Sequence, residues 1–321
     1  MKILIAPLNW GLGHATRCIP LIRQYTAAGD EVVLGGDGDS IMLLRKTFPN
    51  LRCVDLPSLE LRYTQNNEQR GFYLRAIPAL IRFTIADHYY LRQLLAIEHF
   101  DLVISDNRFG LFSRDVHCTY ITHQLYPILP KRLRIFQAFA RALHACIYKR
   151  YNEVWVPDFA NYQCNLAGVL AHGGAFDEHV KYIGPLSRFS TLASDEVPRV
   201  LLHADEGFST VAVLSGLEPQ RTLFEQDLID LFKKSNTRTL IIRGKITSPA
   251  TVTHVGPITL VPHMTDEQLV LHLLHADKVI VRSGYSTIMD LSVLGLLDKA
   301  DFYPTPGQSE QEYLSILHKK D

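Results

Sequence analysis

The sequence has no long apolar run and no excess of charge of one sign. Its longest segment without Asp, Glu, Lys or Arg covers residues 246–265 and contains three prolines, whereas a membrane-spanning helix needs about 20 apolar residues. Lys and Arg together number 33, as do Asp and Glu, so the formal net charge is zero. These features predict neither a membrane-spanning protein nor a general nucleic-acid binder, which would be basic overall.

Cysteine, glycine and proline are also scarce. The 19 glycines and 16 prolines among 321 residues are too few for a disordered or fibrous chain. The first apolar segment, residues 3–8, is too short for the core of a signal peptide and is predicted to be a strand. Reduced thiols in a cytoplasmic protein are expected, because the cysteines form no CxxC pair and are odd in number. They are Cys18, Cys53, Cys118, Cys146 and Cys164.

Short β-branched runs alternate with helical patterns along the whole chain. The predicted strands are residues 2–6, 31–35, 101–105, 119–122, 153–156, 210–214, 239–242, 258–261 and 278–281. The predicted helices are residues 15–28, 72–97, 132–150, 221–234, 266–275 and 286–294. Such alternation indicates doubly wound parallel sheets covered by helices on both faces. Continuous apolar runs are typical of buried parallel strands.

The alternation weakens once, which predicts two domains. Residues 187–208 contain Pro198, serines and scattered charges and are predicted to be a linker. Residues 1–186 then form an N-terminal Rossmann-like α/β domain, and residues 209–321 form a C-terminal one. Each half has a glycine-bearing turn between a strand and a helix.

The first such turn contains Gly11 and Gly13, followed by His14 and, one turn later, Arg17. Glycines at this place let the backbone approach a ligand, and the helix N-terminus attracts anions. A dinucleotide-binding oxidoreductase is one interpretation, because Asp37 follows the second strand at the position of a ribose-binding acid. Against it, the fingerprint GxGxxG would need a third glycine where the chain has Thr16.

Three polar strand ends in the second half favour a nucleotide site. They are the segments LSGLEPQR (214–221), VRSGYST (281–287) and PTPGQSEQEY (304–313). Small residues at the start of a helix expose backbone N–H groups that suit a diphosphate. Ends of parallel strands meet at one edge of a sheet, where ligands of such folds bind.

Together with GxGHxxR after the first strand, these motifs resemble nucleotide-sugar glycosyltransferases of the GT-B fold. The closest resemblance is to the group of the lipid-intermediate N-acetylglucosamine transferase of peptidoglycan synthesis (glycosyltransferase family 28-like), in an uncharacterised bacterial branch. WVPD (155–158), IGPLSRF (183–189) and ITHQL (121–125) extend the resemblance over nearly the whole chain. It implies two Rossmann-like domains facing across a cleft, and a cytoplasmic enzyme of cell-envelope glycan synthesis.

The resemblance also implies roles for individual residues. Asp290 matches the acid that binds the ribose, and Gln311 and Glu312 match the pair that faces the donor sugar. The donor-binding residues are predicted to be Ser215, Gly216, Arg221, Arg243, Ser283, Gly284, Ser286, Thr287, Asp290, Gln311 and Glu312. The loop near the acceptor is predicted to contain Gly11, Gly13, Arg17 and Gln124.

Two departures from the family pattern bear on substrate and domain structure. Glu312 stands where the peptidoglycan enzyme has an amide, which predicts a different donor sugar. The family continues after the QEY helix with a segment that returns to the first domain, and the sequence has no counterpart after Asp321. The C-terminal domain is therefore expected to lack the last family helices.

The predicted reaction is transfer of a sugar from a UDP-linked donor to a hydroxyl acceptor, without cofactor or metal. His14 is the first candidate for the base, with Asp106 and His123 as alternatives. A metal is not expected, because His272 and His275 have no evident third ligand. The alternatives are a nucleotide-sugar 2-epimerase-like isomerase and a non-catalytic nucleotide-sugar binding protein.

One segment is unusual in charge. Residues 116–152 contain no Asp or Glu, whereas residues 131–150 contain six basic side chains. One interpretation is a solvated helix whose apolar side, with Phe136, Phe139 and Leu143, packs on the sheet. The other is a surface for an anionic membrane or a lipid-linked acceptor, which places the protein at the inner face of the plasma membrane.

Overall fold

The chain forms two compact units, Met1–Leu186 and Ser187–Asp321. The computed structural model describes residues 1–59, 69–174, 177–192, 207–216, 218–245 and 251–319. Each unit has its own helices and its own sheet, which is parallel except for one edge strand in the second unit. The predicted linker begins at the boundary between the units, and its residues 193–206 lie outside the described part.

The first unit contains a seven-stranded parallel sheet in the order β3-β2-β1-β4-β5-β6-β7. The central strand β1 is apolar on both faces at Ile3, Leu4 and Ile5, because helices cover both sides of the sheet. The strands are β1 (Lys2–Pro7), β2 (Glu31–Gly36), β3 (Arg52–Asp55), β4 (Leu102–Asp106), β5 (His117–Ile121), β6 (Glu153–Val156) and β7 (Val180–Tyr182).

The helices of the first unit connect these strands. They are α1 (Gly13–Ala27), α2 (Gly38–Thr47), α3 (Gln69–Ile97), α4 (Gln137–Tyr148) and α5 (Val169–His172), and a 3-10 segment, Lys131–Phe136, precedes α4. The single helix predicted over 132–150 is therefore divided. The Gln137 side chain bonds to the backbone of Leu129 and Pro127, which fixes the turn before α4.

The sheet order changes direction at β1, whose neighbours are β2 and β4. The chain moves from β1 towards β3 and then returns to place β4 on the other side of β1. Loops that leave the ends of the two strands at such a point diverge, and a crevice opens between them. Pro7 at the end of β1 pairs with Asp106 at the end of β4, so α1 and Asp106 lie at this edge.

The second unit contains a six-stranded sheet in the order β10-β11-β9-β8-β12-β13, in which β10 is antiparallel. The strands are β8 (Thr210–Val213), β9 (Thr239–Ile242), β10 (Thr253–Val255), β11 (Ile258–Val261), β12 (Lys278–Arg282) and β13 (Ala300–Tyr303). The helices are α6 (Gln220–Phe232), α7 (Asp266–His275), α8 (Tyr285–Val293) and α9 (Ser309–Leu317). Its change of direction lies between β8 and β12.

The first residues of the predicted linker belong structurally to the second unit. Phe189 is buried in a core cluster with Val211, Val279 and Leu291. Ser187 and Arg188 contact the start and middle of helices in this unit. The segment that follows Leu186 is therefore anchored rather than solvated.

Candidate active site

A buried carboxylate occupies the end of β4. Asp106 has no solvent exposure, and the partners of its side chain are three residues of α1, namely His14, Arg17 and Cys18. Arg17 donates from Nε and Nη2 to the two carboxylate oxygens. Burial alone would raise the pKa of Asp106, but the Arg17 guanidinium and the bonds from Arg17 and His14 lower that pKa well below its usual range. Asp106 is therefore ionised at neutral pH.

His14 lies against this carboxylate. Its Nδ1 is 2.8 Å from Asp106 Oδ1 and 2.9 Å from Arg17 Nη2. Arg17 can only donate, and Asp106 can only accept. A proton on His14 Nδ1 is therefore donated to the carboxylate. His14 Nδ1 and Arg17 Nη2 lie close together because both donate to Asp106 Oδ1. This tautomer leaves the lone pair on Nε2.

The surroundings favour neutral His14. Burial lowers the pKa of its imidazole, Asp106 opposes this effect, and the Arg17 charge adds to it. The net direction is downward from the usual value, so the ring is uncharged at neutral pH. A neutral imidazole that is oriented by an ionised carboxylate can accept a proton at Nε2 and is then stabilised as a cation.

His123, the third predicted catalytic residue, joins the same cluster through Arg17. Its Nδ1 is 3.2 Å from Arg17 Nη1 and accepts a hydrogen bond from it. Gln124 lies 3.4 Å from His123 Nε2. The structure thus brings His14, Asp106 and His123 together and makes Arg17, predicted as part of a loop near the acceptor, a buried residue of α1 that connects them.

A second buried charge cluster, which sequence analysis missed, begins two residues further on. Arg108 is fully buried and donates to both carboxylate oxygens of Asp87, at 3.1 and 2.6 Å. It also donates to Asp37 at 2.8 Å. Asp37, considered above as a ribose-binding acid, is thus paired with a buried arginine. Burial raises the pKa of Asp87 to about 6 although Arg108 lowers it.

The second cluster extends to the loop before α1. The Asn9 amide donates to Asp37 at 3.3 Å, and the Ser40 hydroxyl contacts Asn9 Oδ1 at 3.2 Å. Gly11 in this loop has φ +74°, a left-handed conformation that glycine adopts without strain. Between the two clusters Asn107 has φ +57°, which is uncommon for a residue with a side chain. We infer that this backbone turn directs Asp106 and Arg108 to different partners.

In the second unit, the loop after β8 contains Ser215 and Gly216, both exposed. Gly216 has φ +99°, and a Cβ at this position would meet nothing within 4 Å. Glycine is therefore favoured here by the backbone conformation and not by lack of space. Two predicted donor contacts near this loop pair with other protein groups. Arg221 donates to the Gly244 carbonyl at 3.0 Å, and Arg243 donates to Glu225 at 2.6 Å.

The segment after β12 begins α8 without a capping side chain, since Gly284 occupies the N-cap. Ser283 is buried, and its hydroxyl donates to the Gln311 carbonyl at 2.8 Å. Ser286 and Thr287 lie in the first turn and are partly buried. The positive end of the helix dipole favours an anion at such a position.

Asp290 lies further along α8 and contacts the start of the predicted linker. The Ser187 hydroxyl donates to its Oδ1 at 2.6 Å. Arg188 Nε lies 3.7 Å from its Oδ2, and Arg188 Nη1 lies 3.0 Å from Asp266. Burial raises the pKa of Asp290 to about 6 although Arg188 and Ser187 lower it.

Gln311 and Glu312, the two residues predicted to face the donor sugar, lie in different environments. The Gln311 side chain accepts from the Thr305 N–H at 2.8 Å and donates to Gln308 at 2.7 Å, so it fixes the loop before α9. Glu312 is exposed.

Among the described residues, no group of three or more His, Cys, Asp or Glu side chains could bind a metal ion. Within the same part of the chain, no helix has the length and hydropathy of a membrane span.

Two Rossmann-like α/β units with these sheet orders define a GT-B fold, as the resemblance predicted. The structure superposes on the glycotransferase of kitacinnamycin with a TM-score of 0.61 at 13% identity, covering 98% of this chain and 83% of that one. Phytolacca americana UGT2, complexed with UDP-2-fluoroglucose and pterostilbene, gives 0.59 at 13% identity, covering 98% and 82%.

Among curated proteins, the chain is similar to an uncharacterized glycosyltransferase of Methanosarcina acetivorans. The two are 22% identical over 330 aligned positions, which cover 97% of this chain and 82% of the relative. No family model matches the chain. The fold also occurs outside transferases: a proposed UDP-N-acetylglucosamine 2-epimerase from Listeria monocytogenes gives a TM-score of 0.53 at 12% identity, covering 89% of this chain and 75% of that one.

Proposed function

We propose that the protein is a glycosyltransferase that moves a sugar from a UDP-linked donor to a hydroxyl acceptor without a metal ion. The observation that carries this proposal is the His14–Asp106 pair, with Nδ1 2.8 Å from the carboxylate, at the loop edge of a GT-B domain. Similarity to glycosyltransferases along 97% of the chain supports it.

In the proposed mechanism, the acceptor hydroxyl gives its proton to His14 Nε2 as its oxygen attacks the anomeric carbon. The bond from that carbon to the diphosphate breaks, and UDP leaves with the electron pair. Asp106 stabilises the imidazolium, and Arg17 keeps Asp106 ionised. The role of His123 is positional, since it accepts a hydrogen bond from Arg17.

In the same proposal, the donor binds to the second unit. The start of α8, at Gly284 and Ser286, stabilises the negative charge of the leaving diphosphate in place of a metal. Asp290 accepts hydrogen bonds from the ribose hydroxyls and exchanges its bond with Ser187 for them. The hydrogen bonds of the Gln311 side chain with Thr305 and Gln308 fix the loop before α9, which lies beside the donor sugar in this proposal.

We expect UDP to raise the melting temperature more than ATP or NAD does, and Asp290→Ala to reduce this increase. A hydrogen bond to a charged group contributes about 1.5–3 kcal/mol, so the loss of one such bond should raise the UDP dissociation constant about 10- to 150-fold. Thermal shift and calorimetric titration measure the two effects.

Asp298→Ala is the matched control, because Asp298 is an exposed acid of the same unit. In the wild type, UDP affinity should also fall as the pH drops through about 6, where Asp290 becomes protonated. Asp290→Asn should lose that part of the pH dependence. Equal stabilisation of the wild type and Asp290→Ala by UDP would contradict the ribose assignment.

The 2-epimerase is the second candidate function, favoured by the shared fold of the Listeria monocytogenes protein. Incubation of the protein with a UDP sugar and no acceptor distinguishes the two. Epimerised nucleotide sugar supports the isomerase, whereas transfer that requires an added hydroxyl compound supports the transferase.

A further inference from the structure

The outward side of α4 is apolar instead of polar. Its exposed residues recur with helical spacing on one side, and all are apolar: Ala138, Phe139, Ala142, Leu143 and Cys146. Phe139 is 69% exposed and Leu143 is 53% exposed. A helix that only covers a sheet has the opposite pattern, with polar residues outward. The interpretation that Phe136, Phe139 and Leu143 pack on the sheet is therefore wrong.

The 3-10 segment before α4 continues this surface. Ile135 is 86% exposed and Phe136 is 56% exposed. Four residues of α3 form a second apolar stripe, because they follow each other at intervals of four. They are Ile77, Ile81, Ile85 and Tyr89, each more than half exposed.

These two surfaces lie on the same side of the seven-stranded sheet. The connections that contain α3 and α4 both run in the direction from β3 towards β7, and right-handed crossovers in one direction put their helices on one face. The Phe112 ring lies between the two helices: it stacks on His88 of α3 at 4.5 Å, and the Arg150 guanidinium after α4 lies 5.1 Å from it. We call the exposed apolar residues of α3, the 3-10 segment and α4 the apolar face.

The exposed charges on the segments that carry the apolar face have one sign. Residues 77–97 contain one acid, Asp87, which is buried and paired with Arg108, and residues 116–152 contain none. The basic residues of these segments that are exposed are Arg82, Arg92, Lys131, Arg132, Arg134, Lys149 and Arg150. The partner of this surface must therefore accept apolar side chains and also provide negative charge.

A second copy of the chain fits this requirement poorly. A two-fold interface places the same patch on both sides, so that the basic residues of these segments in one copy would face the same basic residues in the other. An anionic bilayer provides both parts, with acyl chains for the apolar residues and phosphates for the basic ones. We propose that the apolar face binds the surface of a membrane that contains anionic phospholipid. This inference does not depend on the proposed transfer reaction.

Flotation with vesicles tests the proposal. We expect the 321-residue protein to float with vesicles of equal parts phosphatidylglycerol and phosphatidylcholine, and much less with phosphatidylcholine alone. Phe139→Ser with Leu143→Ser should lower the partition coefficient about 100-fold or more, because each side chain loses its burial in the acyl region. Arg132→Gln with Arg134→Gln should lower it about 25-fold, or about fivefold per basic residue.

The matched control is Leu231→Ser with Ile316→Ser, which changes two exposed apolar residues of the second unit and should leave flotation unchanged. If the Phe139/Leu143 variant does not fold, Ile81→Ser with Ile85→Ser tests the α3 stripe. UDP binding should persist in every variant, which separates this test from that of the transfer reaction. The proposal is overturned if the wild type fails to float with anionic vesicles or if the serine variants float like the wild type. Dimers that these substitutions abolish, without vesicle binding, would assign the face to a second copy.

Discussion

Replacing His14 with alanine is expected to lower the rate of sugar transfer by about 10²–10⁴-fold, the usual contribution of a general base. Donor affinity should change little, because the predicted donor contacts lie in the second unit. UDP titration, the melting temperature and the transfer rate are to be measured on one preparation. A folded variant with near-normal transfer would remove His14 from the mechanism.

Two further variants refine this test. Asp106→Asn should also slow transfer, because the amide no longer stabilises the imidazolium at His14, 2.8 Å away. His99→Ala is the matched control, since His99 is 83% exposed, and should transfer like the wild type. Because the pKa of His14 is lowered, the wild-type rate at saturating donor should stay constant from neutral pH down to below the usual histidine range and decrease only there.

Arg108→Met is expected to lower the free energy of unfolding at neutral pH by about 3–5 kcal/mol, the usual effect of removing one partner of a buried ion pair. The substitution leaves Asp87 and Asp37 buried without their guanidinium. Folding raises the pKa of Asp87 from 3.8 to about 6, so its contribution to stability is present below about pH 4 and is lost as the pH rises through 6. Without Arg108 this pKa rises further, and the loss of stability should be larger at pH 7 than at pH 5. Urea unfolding at both pH values measures it.

Asp87→Asn in the Arg108→Met background should restore part of the stability, because an amide has no charge to bury. Arg114→Met, at an exposed arginine a few residues away, is the control and should change stability by less than about 0.5 kcal/mol. If Arg108→Met is as stable as this control, the second charge cluster does not contribute to the fold.

Much of the fold could be predicted because buried parallel strands are continuous apolar runs. β6, β9 and β11 have the predicted bounds. Helix α7 does as well, since Thr265 and Gln268 form a capping box that fixes its start. β3, β7 and β10 were missed because their residues are mostly exposed or partly exposed at sheet edges, and they therefore lack such a run.

The residues of the candidate active site could be predicted from the sequence, but the hydrogen bonds between them could not. His14 and Asp106 are 92 residues apart, and both follow strands that end at the same sheet edge. The sequence offered them with His123 as alternatives for one role, whereas the structure joins all three through Arg17. Arg108 could have been predicted in the same way, because it lies just after the end of β4 and Asp37 lies just after the end of β2. Both positions belong to the sheet edge where ligands of such folds bind. No local pattern shows, however, that Asp87 in the middle of α3 is the partner of Arg108.

The exposed apolar side of α4 also determines how the protein behaves in concentrated solution. The pI is about 7.2, so near neutral pH the molecules carry almost no net charge and do not repel each other. The exposed Phe139 and Leu143 can then adhere to any surface of a neighbouring molecule. Purified protein is therefore expected to precipitate most readily near its pI, and to become more soluble when alkaline buffer supplies net charge or a mild detergent covers the helix.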